Sequence, residues 1–186
     1  MDSFEFLSVL FSVILGLALT QILQGLRALM LARARIKIYR PAVIWAALLI
    51  LIVAQAWWGM FVMRAFRDWN FAMYAVVVLQ ITLMYLAAGM VLPDVPPEGP
   101  VDLRKAYFEH ARWFFGLMAL TVAVTMLREI VTFGSISISF NTYYLGAFFA
   151  LAVIAAIVKS RWYHALLAPF CVIAVTVYTA LLSFRL

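Results

Sequence analysis

Four glutamines, two histidines, one cysteine and an adjacent charge pair, Arg128 and Glu129, are the side chains here whose setting could support chemistry. That setting is oil. Of 186 residues, 68% are apolar and 12% charged, whereas a soluble domain is about half apolar and about a quarter charged. The composition excludes a soluble enzyme, a disordered chain and a nucleic-acid-binding module. Polar groups in hydrocarbon are costly, so each becomes a candidate for function. Gln21, Gln24, Gln55 and Gln80 lie in or at the ends of apolar runs. At about 1.5 Å per residue, Gln55 and Gln80 reach nearly the same depth on consecutive antiparallel helices. A hydrogen bond between them, direct or through water, is expected, worth about 1 kcal/mol. It would either join two helices or line a polar path.

The first apolar run carries Ser8, Ser12, Gly16, Thr20 and Gln24, one every fourth residue. Four residues advance a helix by about 400°, so these form one slowly drifting stripe. Small residues at that spacing let another backbone approach closely. The expectation is a helix–helix seam, with a pore-lining face as the alternative. Thr121, Thr125, Arg128 and Thr132 form a shorter analogue in the fourth run. Arg128 and Glu129 point about 100° apart on a helix and need not pair. Snorkelling to headgroups accounts for both; a water-filled vestibule is the alternative. His110 and His164 stand at the starts of the fourth and sixth runs, where interfacial histidines among headgroups are expected. A pair of haem ligands would be opposed and deeper. Cys171 stands alone, so it makes no disulfide within the chain and no thiolate cluster; it reads as a small buried apolar residue. The sequence contains no HExxH, GxGD, TVGYG, NPA or Walker pattern. No catalytic residue, metal or cofactor is expected, and the reading is non-enzymatic.

These residues must be positioned by membrane helices. A crossing needs about 20 apolar residues, and six windows qualify: 5–27, 41–63, 71–93, 113–128, 141–158 and 162–184. The runs are apolar all round, which suits helices and not the alternating strands of a barrel. The fold expected is all-α, a single transmembrane domain over 1–186 built as a bundle of six helices. Asp2 and Glu5 replace the basic start of a secretory signal, so the first span is expected to stay in the mature protein. Residues 102–112 carry Lys105, Glu109 and Arg112 at helical spacing. They predict a turn or two of polar helix leading into the fourth span. The segment 93–100, PDVPPEGP, prohibits a regular helix. It separates two halves of three spans, between which no residue correspondence supports an inverted repeat. The alternating segment 134–140, GSISISF, suits a short strand or a linker.

Arginine and lysine set the orientation. Arg27, Arg33, Arg35, Lys37, Arg40, Arg104, Lys105, Arg112, Lys159 and Arg161 fall on one side, against Arg64, Arg67, Arg128 and Arg185 on the other. The first side is expected in the cytoplasm and both termini outside. The net charge of +6 then faces anionic lipid and not nucleic acid, with Arg33, Arg35, Lys37 and Arg40 as the headgroup contacts. Trp57, Trp58 and Trp69 are expected at the outer interface, and Trp45, Trp113 and Trp162 at the inner one.

Three segments, LGLALTQILQGLRAL around Gly16, QAWW at 55–58 and DLRKAYFEHARWFF at 102–115, resemble a family of small, uncharacterised multi-pass membrane proteins of bacteria. The resemblance covers about the first two-thirds of the chain. It implies a bacterial inner-membrane location and carries no activity. Three roles are then expected, in order. The first is a membrane subunit that self-associates or packs with another membrane protein through the α-helical stripe. The second is a channel or transporter for a small solute or ion, marked by a polar path joining Gln55, Gln80, Thr121, Thr125 and Gln21. The third is a lipid- or quinone-binding subunit.

Overall fold

The computed structural model describes residues 3–65, 69–96, 98–135 and 138–183. Six helices form its framework: α1 Ser3–Leu31, α2 Arg40–Val62, α3 Phe71–Met90, α4 Leu103–Phe133, α5 Phe140–Ile157 and α6 Arg161–Ser183. Each contains a stretch long and apolar enough to cross a membrane. The chain is therefore an all-α six-helix bundle of the multi-pass membrane type. Its outer surface agrees: Phe6, Val13, Leu17, Leu23, Trp113, Leu166, Phe170 and Ile173 are all exposed, as lipid-facing side chains are.

Local chemistry sets the helix ends. The Asn70 side chain accepts the Met73 N–H at 2.9 Å and starts α3. Asp102 starts α4, its Oδ1 accepting N–H groups from Arg104 at 2.9 Å and Lys105 at 3.2 Å. Gly134, at φ 75°, takes the left-handed conformation that ends α4, and its N–H donates to Ile130 O at 2.8 Å. The largest departure from the expected boundaries is α4, at 31 residues. Its polar first turns, from Leu103, supply the predicted entry helix. Pro169 lies inside α6 and withholds a donor from the carbonyl of Ala165.

The helices do not pack in sequence order. α3 lies between α1 and α4, α4 also packs on α5, and α2 packs on α1 and α6. α2 touches α3 and α4 only sparsely, and that looseness opens the centre of the bundle. The end carrying the loops after α1, α3 and α5 is called the basic end here, and the opposite one the far end. At the basic end, β1 (Ile36–Lys37) pairs in parallel with β2 (Val101–Asp102), Ile36 opposite Val101. Arg35 reinforces this link, donating to Gly99 O at 2.8 Å and Pro96 O at 2.6 Å.

Several expectations need correction. α1 packs inward through Phe11, Leu15, Ala18 and Ile22. The stripe of small residues is not a seam within the chain: Gly16, Thr20 and Gln24 are exposed, Ser8 and Ser12 half-buried, and a Cβ on Gly16 would meet nothing within 4 Å. The apolar face wins because it buries more area against α3. The close-approach glycine is Gly25, where a Cβ would stand 3.0 Å from Leu92. Trp57, Trp58, Trp113 and Trp162 are exposed, but Trp45 is buried in the core, and Trp69 packs against Phe4 and Phe11. Arg35, one of the four residues assigned to headgroups, is also tied to the loop carbonyls of Gly99 and Pro96. Asp2, Arg67, Asp68 and Arg185, and part of the alternating segment 134–140, lie outside the described residues.

Candidate functional site

The centre of the bundle differs in its two halves. In the basic half it is plugged. Trp45 meets Phe115 and Phe114 edge-on, ring centres 5.1 and 5.6 Å apart. His164 sits among Phe108, Phe115, Tyr107 and Tyr163 at 5.1 to 5.6 Å and is 0% exposed. It is therefore not an interfacial residue. Its Nε2 lies 2.8 Å from Val158 O. A carbonyl can only accept, so Nε2 carries a hydrogen. In the neutral ring Nδ1 is then the acceptor, and the Tyr107 hydroxyl donates to it at 2.9 Å. Val158 directly follows the last residue of α5, so its carbonyl is one that the helix leaves unpaired. His164 satisfies it, which explains a histidine in so apolar a place. His110 is half-buried, and its Nδ1 donates to Ala106 O at 2.9 Å. Cys171 is buried beside Trp45, Phe115 and Leu167, as a small apolar residue would be. The gap these residues share has no room for a water molecule.

In the far half a cavity of about 260 Å³ opens between α2, α3, α4, α5 and α6. Its polar wall combines Gln55 from α2, Gln80 from α3, and Thr121, Thr125 and Arg128 from α4. Asn141, Tyr144 and Tyr178 complete that wall from α5 and α6. Ile52, Met84, Met118, Val122 and Phe148 are among its apolar residues. An engineered apolar cavity of about 150 Å³ takes benzene, so this one admits a larger molecule.

The hydrogen bonding of this wall determines what it can offer. Thr121 and Thr125 donate to Leu117 O and Thr121 O, each at 2.8 Å; their oxygens can still accept. The Tyr178 hydroxyl donates to Asn141 Oδ1 at 2.5 Å, which leaves the Asn141 amide N–H groups available. Tyr144 and Tyr178 stack at 4.1 Å and hold α5 to α6. Gln80 is 8% exposed and its Oε1 is buried with no hydrogen-bond partner. Gln55 and Gln80 make no direct hydrogen bond; both face one cavity.

Four of the five residues proposed for a polar path thus meet in one place. Gln21 does not join them. It donates to the Tyr85 hydroxyl at 3.2 Å and ties α1 to α3. Arg128 lines the cavity, in keeping with the vestibule that was the alternative to headgroup snorkelling. Asn141, Tyr144 and Tyr178 were missed. The signal was depth: Tyr144 is four residues into α5 and Tyr178 five before the end of α6, so antiparallel packing sets them level, as it does the glutamines. Among the described residues, no group of three His, Cys, Asp or Glu side chains could hold a metal ion.

No family model matches this chain, and neither a curated protein nor a solved structure does. The cavity's geometry is therefore what a functional reading must be built on.

Proposed function

We propose that this is a non-enzymatic protein of a bacterial inner membrane that takes a small solute into the far-half cavity and serves as a transporter. The basic end lies in the cytoplasm and both termini in the periplasm, as the asymmetry of arginine and lysine favours. Exposed Arg33, Lys37 and Arg40 contact anionic headgroups there, each worth about 1 kcal/mol. The observation that carries the proposal is the convergence of Gln55, Gln80, Thr121, Thr125 and Arg128, from three helices, on one cavity. Buried polar groups are normally satisfied within the protein, so an unpartnered Gln80 oxygen at a cavity wall favours a bound molecule. The dry plug of Trp45, Phe114 and Phe115 favours a carrier over an open pore. Substituting Met118→Trp at the cavity wall supplies the test. Proteoliposomes of the unaltered protein should take up small radiolabelled solutes, and the variant should lose that uptake. Equal uptake by both would refute the proposal.

A second reading concerns the face of α1. Gly16, Thr20 and Gln24 are exposed on an otherwise apolar lipid-facing surface, which favours close packing against a second copy or another membrane protein. Gly16→Cys, in a Cys171→Ala background, should cross-link between copies in native membranes. The fold should tolerate it, because a Cβ there meets nothing within 4 Å. Monomer alone after oxidation would count against self-association.

A further inference from the structure

We infer that the cavity's ligand is a small organic anion: a carboxylate on a mostly apolar body, with a hydroxyl or N–H group for Gln80. This rests on the solute-binding reading above and adds the charge and shape of the solute. Arg128 decides the charge. Its guanidinium stays protonated in proteins, and an ionisable residue at membrane depth ordinarily has an identifiable partner. Among the described residues no carboxylate forms an ion pair with it, and it makes no hydrogen bond. Glu129, the next residue, points about 100° away around α4; it and Tyr178 act on Arg128 through their fields, without an ion pair or a hydrogen bond. The neighbours of Arg128 on the wall are neutral amides, hydroxyls and phenols. The free donors, on Arg128 and Asn141, suit the two oxygens of a carboxylate, and Arg matches that group in a bidentate manner. A cation would be repelled by the guanidinium, and a neutral molecule would leave it with only the field of Glu129 to balance it.

The rest of the wall decides the body. Ile52, Met84, Met118, Val122 and Phe148 offer apolar contact. Among the residues lining the cavity, the buried oxygen without a hydrogen-bond partner is Gln80 Oε1, which accounts for a hydroxyl or N–H on the ligand. A volume of about 260 Å³ falls just below the usual range for ligand pockets, about 300–1,000 Å³. That suits a short-chain or single-ring acid.

Calorimetry on the full-length protein in phosphatidylcholine nanodiscs tests this, with hexanoate, ω-hydroxyhexanoate, hexanol and hexylamine as probes. Hexanoate should bind about tenfold or more tighter than hexanol, the gain expected of a hydrogen bond to a charged group, and hexylamine should not bind. Arg128→Gln should erase the preference for hexanoate over hexanol, while Arg128→Lys keeps part of it. Gln80→Leu should bring ω-hydroxyhexanoate down to the affinity of hexanoate. Circular dichroism melts establish that each variant is folded, and a variant that fails is replaced by Thr125→Trp, which should block every probe. Equal binding of hexanoate and hexanol, unchanged by Arg128→Gln, overturns the anion and leaves the cavity reading standing. No binding by any probe overturns the cavity reading itself. Loss of hexanoate binding in discs containing phosphatidylglycerol would make the occupant a lipid phosphate and overturn the soluble acid.

Discussion

Gln80 shows what a polar side chain in this bundle costs and what it offers. A buried acceptor without a donor costs about 1–3 kcal/mol, and its Oε1 is in that state. Gln80→Leu should therefore raise the melting temperature of the ligand-free protein while weakening solute binding. Tyr107→Phe should do the opposite at the plug, because it strands His164 Nδ1 at a cost of similar size. Thermal unfolding in one detergent checks both signs, and a destabilised Gln80→Leu would mean that the amide is structural. The glutamines were legible in the sequence because a polar residue in an apolar run stands out. His164 was misread because linear position places it near a helix start, whereas burial depends on which rings surround it. The partner it satisfies, Val158 O, belongs to a helix end that no motif marks.

At the scale of elements, α4 positions the site. It carries Thr121, Thr125 and Arg128 to the cavity and Tyr107, Phe114 and Phe115 to the plug. Its start depends on Asp102. The backbone N–H of Lys105, then that of Arg104, together with the charges of Lys37 and Arg104, holds this carboxyl below the usual carboxylate range against the opposing effect of burial. The sign follows: a depressed pKa means that the cap's contribution is full above the ordinary aspartate value of about 3.9. It fades as pH falls through the lower folded value. Asp102→Ala should speed hydrogen exchange at the Arg104 and Lys105 amides at neutral pH, and Asp102→Asn should retain protection and reduce its dependence on acid. Unchanged exchange in Asp102→Ala would show that β1 and β2 hold this end unaided. The helix was legible because its charges have helical spacing. The link of β1 to β2 was not, since two residues are too few for a pattern. The face of α1 was read by residue size, but packing chose the apolar residues at 11, 15, 18 and 22 instead.

For the molecule as a whole, six apolar runs gave the number of helices and their alternation. They did not give the neighbours. Helices apolar all round have no preferred face, so the packing of α2 on α6, and the opening this leaves beside α3 and α4, had no signature in composition. That opening is the central claim: a water-accessible cavity in the far half above a dry plug in the basic half. Single cysteines in a Cys171→Ala background measure it directly. Thr125→Cys should react with a membrane-impermeant anionic thiosulfonate applied from the far side, and hexanoate should protect it. Ala152→Cys, at the gap with no room for water, should stay unmodified from either side. Reaction at 152 as fast as at 125, or none at 125 from the far side, would contradict the account.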